Sequence, residues 1–407
     1  MPEATIDHMV ALTVFLAALL LFIALFNQTI QTAILYQQHK YIASKCTDML
    51  DNILLNPGYA PNSNISWGAS NEIPTSFGLQ DPEFTQYRLS PFSLMRLRSS
   101  TGDAVYYSKT GMWYSNTTMG FGDFLFVPYN EVVNYTTAAR LLGTNNSFGF
   151  QLTIQPTITV SILENRSNSP LVMNVSVSGS GFPLSRVNLS YCFFVADFEG
   201  GYPSYAIYPG KTYTNDQGFA WLKLDQVQDP DPVYALILYA HLSGLTGLGY
   251  YQRVSSDKQY IVPFVKDFAS GSIILAHSYD MNETGPPNAD LTYNATFVIL
   301  TEDFTLREMP LGNATGDVNY PNGSYSNLTI PTTNPGILVI TYKNNSGKGG
   351  IILMPWGTSS MAFPTVFGDD ISDREWIATD IRQVIVNNIA YQAKLALWSL
   401  QGYQVVG

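Results

Sequence analysis

The feature that most constrains this chain is an uncharged apolar run, residues 9–26, from which the sequence continues without a helix breaker. The run MVALTVFLAALLLFIALF has 18 residues, the lower limit for crossing a hydrocarbon core of about 30 Å. It is longer than the core of a cleavable signal peptide, and no small-residue cleavage site follows it. Neither Gly nor Pro occurs again before Pro57. We therefore predict a retained membrane anchor at 9–26 that continues as one helical stalk, spanning roughly 70 Å to Leu55.

Beyond the anchor, the apolar residues recur at helical spacing and form one stripe. Its members are Ile30, Ile34, Tyr41, Ile42, Cys46, Met49 and Ile53. Such a stripe needs a partner, which is either the globular part of the same chain or the same helix of a neighbouring subunit. Pro57 and Gly58 end the helix, because Pro lacks a donor and Gly accepts a left-handed turn.

N-glycosylation sequons indicate which side of the membrane the body occupies. The chain holds 14 N-x-S/T sequons, whereas chance predicts about 4 to 5. Residues 1–8 carry no Lys or Arg, so loop charge gives no orientation. We expect the N-terminus inside and the body at the cell surface, with N-linked glycans and no other cofactor. The candidate sites after the helix are Asn64, Asn116, Asn134, Asn145, Asn165, Asn174, Asn188, Asn282, Asn294, Asn313, Asn322, Asn327 and Asn344.

Charge and cysteine content narrow the partners and the covalent framework. A net charge of −11 argues against nucleic acid, whose phosphates require Lys and Arg. The only cysteines are Cys46 on the stalk and Cys192 in the body. They form either one disulfide between stalk and body or two buried free thiols, and the sequence leaves both open.

The whole pattern predicts a mainly β fold in which the long helix, residues 1–56, precedes three units. Residues 57–150 form a small α+β unit with short helices at 87–97 and 129–143. Residues 151–262 contain short strands separated by Gly, Pro and Asn turns at about ten-residue spacing, typical of an Ig-like β-sandwich. Residues 263–407 form a second β-rich domain.

Three local patterns give more specific predictions. Phe150, Leu152 and Ile154 alternate and share one strand face, and Gly218 permits a turn between two strands. Asn387-Asn388 favours a hairpin over an amphipathic helix. The sequence S-D-R-E resembles a capping box and predicts a short helix over 373–382.

No residue pattern predicts catalysis or metal binding. His8, His39, His241 and His277 lie at no metal-ligand spacing, and no nucleophile or phosphate-loop motif occurs. Two acidic clusters offer calcium ligands, but a Pro-locked turn and a helix N-terminus explain them better. They comprise Asp229, Asp231, Asp369, Asp370 and Asp373. The six tryptophans fit core or rim positions better than a sugar platform: Trp67, Trp113, Trp221, Trp356, Trp376 and Trp398.

Several phrases after the helix resemble a known family. They are LLNPGYAPN (54–62), SFGL (76–79), YRLSPFSLMRL (87–97) and YNEVVNYTTAARLLGTNNSFGFQLTI (129–154). Over residues 9–154 the chain resembles archaeal type IV pilin-like, membrane-anchored surface proteins. Residues 1–8 depart from that pattern, since they contain neither a basic leader nor the Gly after which prepilins are cut. Separately, VNLSYCFF, YTNDQGFAWLKL and YALILYA are similar to strands of Ig-like and carboxypeptidase-regulatory-like sandwiches.

We expect from this resemblance a non-enzymatic surface protein that assembles through its helix into a filament or envelope structure, serves adhesion, or does both. The alternative is a membrane-tethered accessory or ligand-binding subunit of a cell-envelope complex. Sequons are missing between Asn188 and Asn282 and after Asn344. Because glycans block packing, protein contacts are expected on residues 191–281 and 345–407.

Overall fold

A computed structural model describes residues 3–61, 66–84, 86–97, 104–118, 124–144, 147–165, 170–227, 232–253, 260–278, 290–319, 325–357, 364–372, 374 and 376–400. Several predicted positions lie outside these ranges: Asn64, Asn145, Asn282, Asn322, Asp229, Asp231 and Asp373. The helices are α1 (Glu3–Leu55), α2 (Pro91–Met95) and α3 (Tyr135–Leu141). Short 3₁₀ turns occupy Trp67–Ala69 and Tyr129–Glu131.

The remaining regular elements are strands. The first twelve are β1 (Ala104–Tyr107), β2 (Met112–Thr118), β3 (Phe124–Pro128), β4 (Phe148–Pro156), β5 (Ile158–Asn165), β6 (Leu171–Gly179), β7 (Phe182–Pro183), β8 (Asn188–Asp197), β9 (Ser204–Tyr213), β10 (Phe219–Leu224), β11 (Tyr234–Leu242) and β12 (Leu245–Arg253). The others are β13 (Ile261–Asp267), β14 (Ser272–His277), β15 (Leu291–Leu300), β16 (Leu306–Met309), β17 (Thr315–Val318), β18 (Ser326–Thr329), β19 (Gly336–Asn344), β20 (Gly349–Trp356), β21 (Thr365–Gly368), β22 (Ala378–Val386) and β23 (Ile389–Ser399). The predicted mainly β fold behind a long N-terminal helix is confirmed.

These strands form four sheets, which are mostly antiparallel. The strand orders are β1-β2-β3-β13-β14-β18, then β10-β6-β5-β12-β11-β8-β9 with β7 beside β6, then β16-β15-β19-β20 with β17 beside β15, and finally β21-β4-β23-β22. The first sheet joins strands from the predicted 57–150 unit to strands after residue 260, through parallel pairing of β3 with β13. In the last sheet, β4 pairs with β23 over Phe148–Pro156. The sheets therefore run across the boundaries expected from sequence, because partner strands lie far apart in the chain.

The sheet of residues 158–253 corresponds to the predicted sandwich and curls around its own core. Met173 and Val175 of β6 face the same cluster as Leu236 and Leu238 of β11. The predicted turn before β10 is present, with Gly218 at a φ of 78°. The interior of this unit thus comes from opposite halves of one folded sheet.

A second core joins this unit to α1 and to the two sheets that contain β20 and β23. Strand β11 is buried on both faces, since its alternate residues, such as Ile237, face a central cluster. The same cluster contains Leu353 of β20 and Leu395 of β23. Phe150, Leu152 and Ile154 of β4 point into it, which confirms their shared face.

Near the C-terminus one local prediction is correct and another is wrong. Asn387 and Asn388 form the two-residue turn between β22 and β23, both with positive φ (47° and 67°). The helix expected over 373–382 is wrong, because Ala378–Val386 is strand β22, paired along its length with β23. Val384 and Val386 gain burial in that pairing, and this tertiary gain overrides a local capping signal.

The two short helices of the 57–150 unit are smaller than expected. The helix predicted over 87–97 is confined to Pro91–Met95, where the Ser90 hydroxyl accepts from the Ser93 N–H at 3.2 Å. The region 129–143 divides into a 3₁₀ turn and α3. Asn134 caps α3 by accepting from the Thr137 N–H at 2.8 Å.

Candidate functional site

Every residue from 6 to 34 in the first part of α1 is exposed, and residues 9–26 are apolar on every side of the helix. We call residues 6–34 its exposed half, in which Leu20 is 65% exposed and Phe22 68%. It lies within a helix that is long and apolar enough to cross a membrane, with the most apolar stretch entirely unburied. The hydroxyls of Thr13 and Thr29 donate to the carbonyls of the residues four positions earlier, both at 2.8 Å. These bonds satisfy the only polar groups that the threonines add to the helix surface.

The last part of α1, residues 42–55, is its buried half. It packs against β22 and β23 with one side only. The buried side carries Ile42, Cys46, Met49, Leu50, Ile53 and Leu54. The members of the predicted stripe nearer the N-terminus do not pack against the sheet, since Ile30 is 42% and Ile34 48% exposed. The C-terminal part of the stripe therefore packs against the chain's own sheet, and its N-terminal part is exposed.

A charged group fixes the buried half to strand β22. Asp51 accepts from Arg382 at 3.1 Å and from the Tyr87 hydroxyl at 3.2 Å. Arg382 also donates to Asp380 at 2.6 Å. Burial alone would raise the pKa of Asp380, but hydrogen bonds from Thr47 and Arg382 hold that pKa below its usual value. The hydrogen bond to Asp380, followed by one with Tyr87, raises the pKa of Arg382. This network was not foreseen, because Asp51 and Arg382 lie 331 positions apart.

The helix end is satisfied by the segment that follows it. The N–H of Leu79 donates to the Ile53 carbonyl at 2.8 Å, and the N–H of Gln80 to the Asn56 carbonyl at 3.1 Å. These are carbonyls that a helix terminus leaves without an internal partner. A Cβ at Gly78 would overlap the Asn56 carbonyl. The phrases LLNPGYAPN and SFGL thus meet each other at the end of the stalk.

Arg96 binds main-chain carbonyls in the segments that follow the helix, a structural role that was not predicted. Its guanidinium is fully buried and donates to the main-chain carbonyls of Trp67, Ser70, Glu72 and Glu131. The bonds to Glu72 and Glu131 measure 2.9 and 2.7 Å. Burial lowers the pKa of Arg96 to about 10, so the group stays charged at neutral pH. One side chain therefore holds two irregular segments together, a role that no local sequence signal revealed.

Both cysteines are free and buried, so the disulfide considered between Cys46 and Cys192 is not formed. The Cys46 thiol points to the carbonyls of Ala378 and Leu395, at 3.6 and 3.5 Å. Burial and the neighbouring Asp380 raise the pKa of Cys46 to about 11. Burial also raises the pKa of Cys192. Thiols in this state are protonated and unreactive.

The candidate glycosylation sites differ in the exposure and the hydrogen bonds of their asparagine side chains. Asn134, Asn313 and Asn327 are exposed, whereas Asn174, Asn188, Asn294 and Asn344 are half-buried. Asn344 accepts from the N–H groups of Ser346 and Lys348 and shapes its turn, while the Oδ1 atom of Asn188 is buried. Asn116 and Asn165 lie on β2 and β5. Among the exposed asparagines, Asn134 is held by its capping bond to Thr137, and Asn327 lies on strand β18.

The remaining candidates are dispersed. Three tryptophans are core residues and three are exposed on separate elements: Trp67, Trp356 and Trp398 against Trp113, Trp221 and Trp376. Asp369 pairs with Arg374 at 3.3 Å, and Asp370 accepts from Ser372 within a turn. Within the part of the chain that the structure describes, no three His, Cys, Asp or Glu side chains gather as metal ligands.

Comparison with known proteins gives no family. No protein-family model and no curated protein sequence matches the chain. Among solved structures, it is similar to a "Biofilm associated protein - BSP domain" at 10% identity and a TM-score of 0.16, over 54% of this chain and 55% of that one. Human GIVD cytosolic phospholipase A2 is similar at 10% identity and a TM-score of 0.10, over 63% and 33%. The chain thus spans about half the length of the first of these structures. TM-scores this low carry no inference about fold or function.

Proposed function

We propose that this protein is a non-enzymatic, glycosylated surface protein of the pilin-like kind, held by its N-terminal helix and presenting its β-domains outside the cell. The observation that carries the proposal is the division of α1, one uninterrupted helix with an exposed apolar half and a half buried in the sheet. A soluble domain gains nothing from an all-round apolar helix, because such a surface is stable only in lipid or against other apolar helices.

The length of the exposed half supports membrane insertion. Residues 9–26 would span about 27 Å at 1.5 Å per residue, close to the hydrocarbon core of about 30 Å. No Asp, Glu, Lys or Arg occurs between Asp7 and Lys40. The span itself is therefore free of charges that would oppose insertion.

The segment between the membrane span and the sheet supports assembly with copies of itself. Ile30 and Ile34 lie beyond the span and are open to solvent. In a filament these residues would be covered by neighbouring helices. In the alternative function, a single tethered subunit of an envelope complex, this segment would be a plain spacer.

The surface location rests on the excess of sequons. Seven candidate asparagines with described side chains have some exposure, three of them more than the rest. Such sites have a use only in a compartment where glycans are added. Adhesion is the function for which a rigid, glycosylated β-rich body on a stalk is best suited.

A pair of matched charge substitutions tests both the anchor and the assembly. Leu20→Arg places a charge in the span, at a cost of about 2.5–3.5 kcal/mol. We expect this variant to leave the membrane fraction of cells of the native host. Ile34→Arg should remain in the membrane, but filaments seen by electron microscopy should be lost.

The outcomes separate the two functions. Filaments that persist in Ile34→Arg, or envelopes without filaments, would support the tethered-subunit alternative. A Leu20→Arg protein that stays in the membrane would contradict the anchor. Protease added to intact cells should digest the body, and digestion only after permeabilisation would contradict the surface location.

A further inference from the structure

One candidate glycosylation site lies in the middle of an exposed apolar row. Asn174 on β6 is directly opposite Trp221 on β10 and, on its other side, Leu163 on β5. The three side chains share the outer face of the sheet, since Met173 and Val175 point into the core. Direct cross-strand neighbours have Cβ atoms about 5 Å apart. A single sugar ring attached to Asn174 is thus within reach of the apolar side chains on both sides, Trp221 and Leu163.

The two flanking residues are unusually open for their type. Leu163 is 68% exposed and Trp221 57%, and both lie on the outward side of strands whose alternate residues are buried. The next row of the same face is formed by Ser161, Ser176 and Phe219. Ser176 completes the sequon N-V-S and points outward beside Asn174. A covering group at this place would remove both apolar side chains from water.

We propose that Asn174 carries an N-linked glycan whose first sugar lies across Trp221 and Leu163, so that the glycan is part of the fold of this sheet. The inference rests on the proposed function, which places the body where glycans are added. The apolar C–H face of a pyranose packs on an indole ring and on an aliphatic side chain, which gains the free energy of burying both.

The covalent step is ordinary glycosyl transfer. The Asn174 Nδ2 atom forms a bond to C1 of a sugar donor activated as a phosphate ester. The C1–O bond to the phosphate breaks, the phosphate leaves with the bonding electrons, and the amide loses one proton. The chain itself supplies only the acceptor and the surface on which the product rests.

Three other sequons on strands with described side chains lack this arrangement. Asn294 faces Thr315 and Thr341 across the strands, and Asn327 is opposite the buried Ile274. Asn188 is opposite the exposed Tyr213, but its own Oδ1 atom is buried. The geometry therefore distinguishes Asn174 from these sites as the one with an exposed apolar partner on each side.

The test uses the full chain from its native host, with glycan occupancy read from glycopeptides by mass spectrometry. We expect Asn174 to be occupied. Ser176→Ala, which removes the sequon but keeps the asparagine, should lower the Tm by about 2 °C. Asn174→Gln should do the same. Trp221→Ala should lower the Tm in the glycosylated protein but change it little in the Ser176→Ala background, since coupled groups are non-additive.

Two controls separate packing from general glycan effects. Thr329→Ala removes the Asn327 sequon and should leave the Tm unchanged. Hydroxyl-radical oxidation of Trp221 should rise several-fold in Ser176→Ala, while oxidation of the exposed Trp376 stays constant. The oxidation readout holds even where a variant changes stability for another reason.

The possible results distinguish a failure of this inference from a failure of the proposed function. Occupied sequons elsewhere with an empty Asn174 would overturn this inference and leave the proposed function standing. An occupied Asn174 with additive Tm changes and equal Trp221 oxidation would also overturn it. A chain without any glycan would overturn the inference together with the glycosylated surface function.

Discussion

The two halves of α1 belong to one helix but have opposite surroundings. The exposed half, residues 6–34, is exposed along its length and is apolar on all sides over 9–26, while the buried half, residues 42–55, is apolar on one side and forms part of the core. Solvent-facing positions of the buried half include the polar residues Ser44, Asp48 and Asn52. The distribution of apolar residues around the helix, more than their number, therefore tells which part meets protein and which part meets lipid or other helices.

The difference has an energetic consequence for the whole body. Burial of one Leu, Ile or Met side chain stabilises by about 1.5–3 kcal/mol. The buried half contributes several such side chains to the cluster that also holds β4, β11, β20 and β23. The stalk is thus an integral element of the body, whereas the exposed half contributes nothing to that core.

The largest expected effect comes from truncating one leucine in each half. Leu50 is fully buried, so Leu50→Ala should reduce the free energy of unfolding by about 3 kcal/mol through lost burial and a cavity. Leu20→Ala is the matched control, because Leu20 lies in the exposed half and is not part of the protein core. Denaturant titration of the detergent-solubilised chain measures both. Equal losses for the two variants would show that the halves are not distinct.

A smaller, pH-dependent effect is expected at the charged edge of the buried half. Asp380 has a pKa held below its ordinary value in the folded protein. A carboxyl of this kind stabilises the fold above the unfolded-state pKa of about 4 and loses that contribution as pH falls through the folded-state pKa. Because solvent screens the pair, Asp380→Asn should cost about 1 kcal/mol at pH 7. The difference from wild type should vanish near pH 2.

Asp216 supplies the control for this pair. It lies 3.7 Å from Arg186, and both side chains are 85% exposed. Asp216→Asn should leave stability unchanged at every pH, since so open a pair gains little. Thermal unfolding between pH 2 and 7 measures both variants. A cost for Asp380→Asn that is the same at pH 2 as at pH 7 would contradict the role of its charge.

Local patterns predicted the parts of the fold that local physics decides. The helix, the Gly218 turn and the Asn387-Asn388 hairpin follow from spacing and backbone preference, which neighbouring residues determine. The capping-box signal near residue 373 failed because pairing of β22 with β23 outweighs one local hydrogen-bond pattern.

The contacts of the candidate site could not be predicted from the sequence. Asp51 and Arg382 meet only because β22 lies beside the stalk. The carbonyls around Arg96 come from loops without a repeating pattern. For the stripe on the helix, spacing predicted a partner for Ile53 and for Ile34 alike. Only the position of the sheet distinguishes them, since Ile42 is the first helix residue that the sheet buries.

The smallest effect, and the sharpest test of the comparison, is a deletion. Removing residues 1–30 takes away most of the exposed half and none of the core, so the Tm should shift by no more than about 1 °C. The shortened chain should also dissolve without detergent, because its all-round apolar surface is gone. Extending the deletion to residue 44 removes Ile42 and the contact of Tyr41 with Phe148, whose rings are 6.2 Å apart. That longer deletion should lower the Tm by several degrees. If the shorter deletion already destabilised the body to the same extent, the boundary between the two halves would lie nearer the membrane span than Ile42.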